Sequence, residues 1–168
     1  MRGVLPWIAA LLVVGADRIT KFLIIARIEP GSWVEVMPGF ALTHIHNRGI
    51  AFSLFAGGGP LTRMMLHLVI FTSVVIIAAM VVRHAHQSRL AGLAFGLILG
   101  GAVGNLIDRV LDGAVIDFVH MWVRIGGRAW SWPDFIVADA SITFGAALLF
   151  ANEFRSPRDE SDDAPDSD

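Results

Sequence analysis

Four apolar stretches divide the chain, at residues 4–26, 62–82, 90–107 and 135–154. Each is close to the 20 or so residues that an α-helix needs to cross the roughly 30 Å hydrocarbon core of a bilayer. The pattern therefore predicts an all-α membrane protein with four transmembrane helices. Composition agrees, because 55% hydrophobic and 17% charged residues lie outside the usual balance of a soluble domain.

The connections between these stretches differ in pattern. Residues 27–61 contain alternating positions that predict a short antiparallel sheet, a small extracytoplasmic β-sheet cradle at the membrane surface. Those positions are Val34, Val36, Phe40, Leu42 and His44. Residues 108–133 are rich in glycine and tryptophan, which predicts a loop with an interfacial aromatic belt. The segment 40–56, with Phe52 and Phe55, is a candidate flap, and Gly57 to Gly59 would let it move.

The two ends of the chain have separate predictions. The first apolar run resembles a secretory signal peptide, but it continues through Phe22, which favours an uncleaved anchor. Residues 1–154 are therefore expected to form one transmembrane domain, and residues 155–168, with two arginines and six acidic residues, a disordered acidic tail. Arginine and lysine in the connections do not decide the orientation. The absence of cysteine excludes disulfides, thiolate metal sites and a cysteine nucleophile within this chain.

The third apolar stretch carries glycine at every fourth position, at Gly92, Gly96, Gly100 and Gly104. Such spacing leaves one helix face without side chains, so that another helix packs closely against it. We expect the partner to be another span of the same chain.

Ionisable residues inside spans are costly, about 2.5 to 3.5 kcal/mol each at a helix centre, and mark functional candidates. Asp17 and Lys21 lie four residues apart on one face of the first span. Asn105, Asp108 and Arg109 end the third. Both groups are equally consistent with a structural role, as a neutralised pair or an interfacial cap.

Two further acids suggest a chemistry. Asp139 follows Pro133 by six residues, in the first or second turn of the fourth helix, and Asp117 precedes that helix in the predicted loop. Two carboxylates that meet share one proton, which is the acid-base pair of an aspartic peptidase. Alternatively, both acids are solvated or paired with Arg109 and Arg124.

The chain resembles the lipoprotein signal peptidases (signal peptidase II) of bacteria over about residues 4–152. The matching blocks, in order, are DRITK at 17–21, NRGIAFS at 47–53, GAVGNLIDR at 101–109, VIDF at 115–118 and FIVAD at 135–139. Each block alone is weak. Five blocks in the family's order on a four-span profile are highly specific.

This resemblance implies a cofactor-free, metal-free aspartic endopeptidase of the bacterial cytoplasmic (inner) membrane, with both termini in the cytoplasm and the site near the outer face. The implied substrate is a diacylglyceryl-modified prolipoprotein, cleaved before its lipidated cysteine, and the implied inhibitor is globomycin. Membrane lipids are expected partners, nucleic acid is not, and the protein is expected to be a monomer. The implied catalytic residues are Asp117 and Asp139. The residues implied to shape the site or hold the substrate are Asp17, Lys21, Asn47, Gly49, Gly104, Asn105, Asp108 and Arg109.

One position departs from the family pattern. The family usually reads FNxAD before its second aspartate, whereas this chain has Ile136 in place of asparagine. An amide there would offer a donor and an acceptor near the dyad, which isoleucine does not. The alternatives are therefore a catalytically impaired relative, or compensation by Asp134 or Asn105.

Other function classes also fit part of the pattern. A small proton-coupled transporter would also place Asp17, Lys21 and Asp139 in spans, but the sequence has no internal repeat. A metal enzyme would use His44 and His46 or the pair at 84 and 86, for which the sequence offers no obvious third ligand.

Overall fold

The structure, a computed structural model, describes residues 3–49, 59–84 and 88–155. Within these residues the chain forms four helices, α1 (Leu5–Arg27), α2 (Pro60–His84), α3 (Arg89–Leu111) and α4 (Val137–Arg155). The same residues form four strands, β1 (Trp33–Met37), β2 (Phe40–Asn47), β3 (Val115–Ile125) and β4 (Arg128–Ser131). The four helices coincide with the predicted apolar stretches to within a few residues. Of them, α2 and α3 are long and apolar enough to cross a membrane.

The strands form one antiparallel sheet in the order β1-β2-β3-β4. The hairpin of β1 and β2 confirms the predicted sheet. The prediction of a loop over residues 108–133 was wrong, because β3 and β4 lie there, and Asp117 is a strand residue. The first four residues of β3 are all buried, so that segment lacks the apolar-polar alternation that identifies a half-buried strand.

Helix α3 lies at the centre of the bundle and contacts α1, α2 and α4. A Cβ atom at Gly96 would lie 2.5 Å from the carbonyl oxygen of Pro6 on α1, and a Cβ atom at Gly100 would lie 2.7 Å from that of Ala10. The predicted packing of the glycine ridge within the chain is therefore confirmed at these positions. A Cβ atom at Gly101, outside the predicted ridge, would lie 2.4 Å from the carbonyl oxygen of Ala138, so α4 also requires a glycine there.

The distribution of apolar and charged side chains is the reverse of that in a soluble protein. Large apolar side chains cover the outer faces of α1, α2 and α4, including Leu11 and Phe150, which are 73% and 69% exposed. Asp17, Lys21 and Asp108 are at most 1% exposed between the helices. This arrangement suits a bundle surrounded by lipid, where charges face the protein interior and pair with one another.

Several predicted features fall wholly or partly outside the described residues. Of the candidate flap, residues 40–47 form β2 and residues 50–56, with Phe52 and Phe55, lie outside. The acidic tail from residue 156 onward and one member of the second histidine pair also lie outside.

Candidate active site

A cavity of about 730 Å³ lies between the helices and the start of α4. Ile77, Ile98 and Ala102 give it an apolar wall. Its polar lining residues include Asn47, Asn105, Arg109, Asp117, Asp134 and Asp139. A cavity that combines apolar walls with a few convergent polar groups is the usual form of a small binding or catalytic site.

Asp117 and Asp139 reach this cavity from different elements. Asp117 lies on β3, and Asp139 lies in the first turn of α4, as predicted. A bridge between Val119 and Phe135 joins the two elements, with backbone N···O distances of 2.9 Å and 3.1 Å. Because Phe135 leads directly into α4, this bridge places the beginning of the helix beside the buried end of β3.

The Asp117 carboxyl is buried and accepts a side-chain hydrogen bond. Asn47 Nδ2 donates to Asp117 Oδ2 at 2.9 Å. The pKa of Asp117 is raised to about 6, mainly by burial and further by the charges of Asp139 and Asp134, against the lowering effect of the Asn47 hydrogen bond. A carboxyl group with this pKa exchanges its proton near neutral pH, as a general acid or base requires.

Hydrogen bonds connect the two aspartates through the cavity wall. Asn105 Nδ2 donates to Asp139 Oδ1 at 3.0 Å, and Asn47 Oδ1 accepts from the backbone N–H of Gly49 at 2.9 Å. Arg109 joins the two halves, because its Nη2 donates to the Gly49 carbonyl at 2.8 Å and its Nη1 to the Asn105 carbonyl at 3.2 Å. The geometry therefore brings together six of the predicted residues, Asn47, Gly49, Asn105, Arg109, Asp117 and Asp139.

Two polar atoms in this wall have no hydrogen-bond partner among the described residues. They are Asn105 Oδ1 and Arg109 Nε, both buried. A peptide bound in the cavity would supply both missing partners. Its N–H group would donate to the buried acceptor, and its C=O group would accept from the buried donor.

Comparison with known proteins identifies the family. The family model for signal peptidase (SPase) II matches residues 9–155. The chain belongs to the signal peptidase II family. The lipoprotein signal peptidases of Burkholderia thailandensis and Burkholderia pseudomallei are each 40% identical to it over 154 residues, which cover 91% of this chain and 90% of theirs.

Solved structures of bacterial membrane enzymes share the fold of this chain. Two structures, both described as a bacterial membrane enzyme, superpose with TM-scores of 0.78 and 0.75 at 26% and 28% sequence identity. They cover 95% and 90% of this chain, and the chain covers 93% and 94% of theirs. As a signal peptidase II, the protein is a peptidase and a membrane enzyme.

The remaining predicted residues lie beside the signal peptidase II cavity rather than in its lining. Lys21 Nζ contacts Asp17 Oδ2 at 2.5 Å and also pairs with Asp108, which in turn pairs with Arg18. Asp17 Oδ1 accepts from the backbone N–H of Ala138 at 3.1 Å, next to Asp139. A free N–H group at a helix N-terminus needs such an acceptor. This ion-pair network therefore connects α1, α3 and the start of α4.

Gly104 belongs to the same region. A Cβ atom there would lie 3.0 Å from Asp17 Oδ2. The absence of a side chain lets Asp17 approach α3, so this glycine acts through the network.

Ile136, the departure from the family pattern, is not among the residues that line the cavity. It is fully buried in an apolar cluster with Ile24, Ile116 and Phe118. Its side chain therefore contributes to packing of the sheet against α1.

Sequence reasoning missed the polar residues around Asp134. The sequence pattern does not indicate Thr43 or His120, and it indicates Asp134 only as a substitute for the missing amide. Asp134 lies in the cavity lining and pairs with His120. The signal in the sequence was the position of Asp134 directly before the FIVAD block, although the histidine that faces it comes from a strand that the sequence pattern concealed.

His44, one of two histidines predicted as a metal-binding pair, contacts the backbone and a neighbouring ring. Its Nδ1 lies 2.7 Å from the Ile28 carbonyl, and its ring stacks on His46 with centroids 5.0 Å apart. No group of three metal-ligating side chains occurs in residues 3–49, 59–84 and 88–155.

Proposed function

We propose that this signal peptidase II is an aspartic endopeptidase whose catalytic dyad is Asp117 and Asp139, and that it removes signal peptides from diacylglyceryl-modified prolipoproteins by cleaving before the lipidated cysteine. The observation that carries the proposal is the convergence of two carboxyl groups from β3 and α4 on one cavity, with the charge of Asp139 raising the pKa of Asp117. Its relatives named lipoprotein signal peptidase support the substrate class.

The proposed reaction needs one proton on the pair. The ionised carboxylate removes a proton from water, whose oxygen attacks the scissile carbonyl, and the protonated carboxyl gives its proton to the carbonyl oxygen. Collapse of the tetrahedral intermediate breaks the C–N bond, and the leaving amine takes a proton from the dyad. The raised pKa of Asp117, about 6, supports a proton held by the pair near neutral pH.

The surrounding groups support peptide binding. The unpartnered Asn105 Oδ1 would accept a substrate N–H, and Arg109 Nε would donate to a substrate carbonyl. Asn47 and Asn105 hold the two carboxyl groups in place. Phe144 and Ile142 extend the cavity lining along α4, where the acyl chains of a lipid-modified substrate would find apolar surface.

We further propose that all four helices span the membrane, with both termini in the cytoplasm and the dyad near the outer face. The charges of α1 do not oppose this, because Asp17, Arg18 and Lys21 belong to the ion-pair network. Residues 155–168 would then form a cytoplasmic tail outside the peptidase domain. A monomer suffices, because both aspartates come from one chain.

The transporter interpretation is weaker, because Asp17 and Lys21 of α1 belong to the ion-pair network. It relied on Asp17, Lys21 and Asp139 lying in spans, and Asp17 and Lys21 are paired with each other at 2.5 Å. Proton flux in liposomes carrying the purified protein would be the contrary finding.

The deciding experiment is a gel-shift assay in detergent with a diacylglyceryl-modified prolipoprotein. Wild type is expected to cleave it, with or without a metal chelator, and globomycin is expected to inhibit. Asp117→Asn and Asp139→Asn should each abolish cleavage. Asp112→Asn is the matched control, because Asp112 is an exposed aspartate at the end of α3, and it should cleave like wild type. Full activity in either dyad variant would refute the assignment.

A further inference from the structure

A second, partly buried polar cluster adjoins the strand of Asp117 on the side of the sheet. It consists of Thr43 on β2, His120 on β3 and Asp134 in the segment before α4. His120 Nδ1 pairs with Asp134 Oδ1, and Thr43 Oγ1 donates to Asp134 Oδ2 at 3.2 Å. The Asp134 side chain is 12% exposed and that of His120 is 27% exposed, so the pair is partly shielded from solvent.

This cluster is in direct contact with the strand segment that carries Asp117. Thr43 Oγ1 also lies 3.5 Å from the Asp117 carbonyl oxygen. Asp134 lines the catalytic cavity and also a second groove of about 770 Å³ on the outer face of the sheet, where His120 lies. Asp134 therefore lies between the dyad and a surface that solvent reaches.

We infer that Asp134 is a positioning residue that acts through Asp117, and that His120 sets how much of the Asp134 charge Asp117 experiences. The inference rests on the proposed function, since it takes Asp117 as a member of the dyad. Asp134 does not donate a proton to substrate. It controls the pH range in which the dyad holds its shared proton.

The physical basis is the repulsion between two neighbouring carboxylates. The negative charge of Asp134 disfavours ionisation of Asp117 and thus contributes to its raised pKa. An imidazolium paired with Asp134 cancels part of that charge. His120 therefore opposes the effect of Asp134 on Asp117 when it is protonated.

Other charged groups also face these residues. Around Asp117 they are Lys21 on α1, Arg109 on α3 and Asp139 on α4. Around Asp134, Glu35 on β1 and Arg124 on β3 line the same outer groove. None of them is altered by changes at positions 120 and 134, so those changes isolate the cluster.

The inference predicts opposite effects of two charge-removing variants. Asp134→Asn keeps the shape of the side chain and removes its charge, so Asp117 should lose its proton at lower pH. The alkaline limb of the kcat/KM profile, which reports the free enzyme, should move down by about half a pH unit. At pH values above that limb this shift is about a threefold loss in kcat/KM.

His120→Asn should move the same limb upward by a similar amount. The asparagine amide retains a donor for Asp134 Oδ1 but, unlike an imidazole, cannot take up a positive charge, so no cation at position 120 offsets the repulsion of Asp134 toward Asp117. A purely structural role for the pair would lower kcat in both variants and leave the limb in place.

The experiment is the pH profile of prolipoprotein cleavage by the purified full-length enzyme in detergent. Glu35→Gln is the matched control, because it removes a carboxylate from the same groove, and its limb should coincide with that of wild type. The position of a limb does not depend on the amount of active enzyme, so partial misfolding would change only the amplitude. If a variant is inactive, titration of the carboxyl carbon of Asp117 by NMR, with the Asp117→Asn enzyme assigning the signal, provides the same readout.

Three outcomes are distinguishable. Limbs that move in opposite directions for the two variants support the inference. Limbs that stay in place, or move in the same direction, overturn it while leaving the dyad intact. Cleavage by Asp117→Asn would instead overturn the proposed function itself.

Discussion

Replacement of Lys21 by methionine removes the ammonium group that lies between the carboxylates of Asp17 and Asp108. All three side chains are at most 1% exposed. Methionine has similar length and no charge, so the change leaves two buried carboxylates facing each other. Arg18 still pairs with Asp108, but its own side chain is 38% exposed and it does not reach Asp17 in the structure.

The expected loss is large for one side chain. Removal of one partner from a buried ion pair costs about 3 to 5 kcal/mol, because the remaining charge is neither hydrated nor paired. For a chain of this size each kcal/mol lowers Tm by roughly 2 to 4 °C, so we expect Tm to fall by about 10 °C. Tryptophan fluorescence of the detergent-solubilised enzyme during heating measures this directly, since the chain has five tryptophans.

A second variant separates charge from packing. Lys21→Met combined with Asp17→Asn removes the orphaned carboxylate but keeps an oxygen that can accept from the Ala138 N–H. The double variant should recover at least half of the lost stability, as coupled residues do. Two results would contradict this account of Lys21. One is a free energy of unfolding for Lys21→Met within about 1 kcal/mol of the wild-type value. The other is a double variant that is no more stable than the single variant.

Three further predictions follow from the contacts. Asn47→Ala removes a hydrogen bond that favours the ionised form of Asp117, so the alkaline limb of kcat/KM should rise by up to about one pH unit, and an unmoved limb would contradict this. Gly101→Val should lower peptidase activity at least tenfold by forcing α3 and α4 apart, whereas Gly15→Ala, in open space on α1, should leave activity and Tm unchanged or raise Tm slightly. Ile136→Asn should lower the free energy of unfolding by about 2 to 4 kcal/mol in chemical denaturation, without raising cleavage, because it buries an amide in an apolar cluster; a more active variant would restore the importance of the missing asparagine.

Local pattern was sufficient for the helices and for part of the site. An apolar run of about 20 residues has few alternatives to a helix, and Asp139 follows Pro133 at a distance that places it in the first turn. The glycine spacing likewise predicted close helix contact, which the short Cβ distances at Gly96 and Gly100 bear out. These features depend on neighbours within one or two helical turns.

The family blocks went further and indicated which residues belong to one region. They did not distinguish the residues that line the cavity, such as Asn47 and Arg109, from those that act at a distance, such as Asp17 and Asp108. The distinction is a matter of which side chain reaches which partner. That depends on helix packing rather than on the order of motifs.

What the amino-acid sequence alone determined about this protein is therefore its helical frame and the identity of its ionisable residues. The tertiary structure decided how they are used. Thr43 contacts Asp117 and Asp134 across 74 and 91 positions of sequence, and the Val119 to Phe135 bridge brings β3 to the start of α4. Such pairings depend on strand register and on burial of the first four residues of β3. Neither leaves a periodic signal in the chain, because a strand buried on both faces has no apolar-polar alternation.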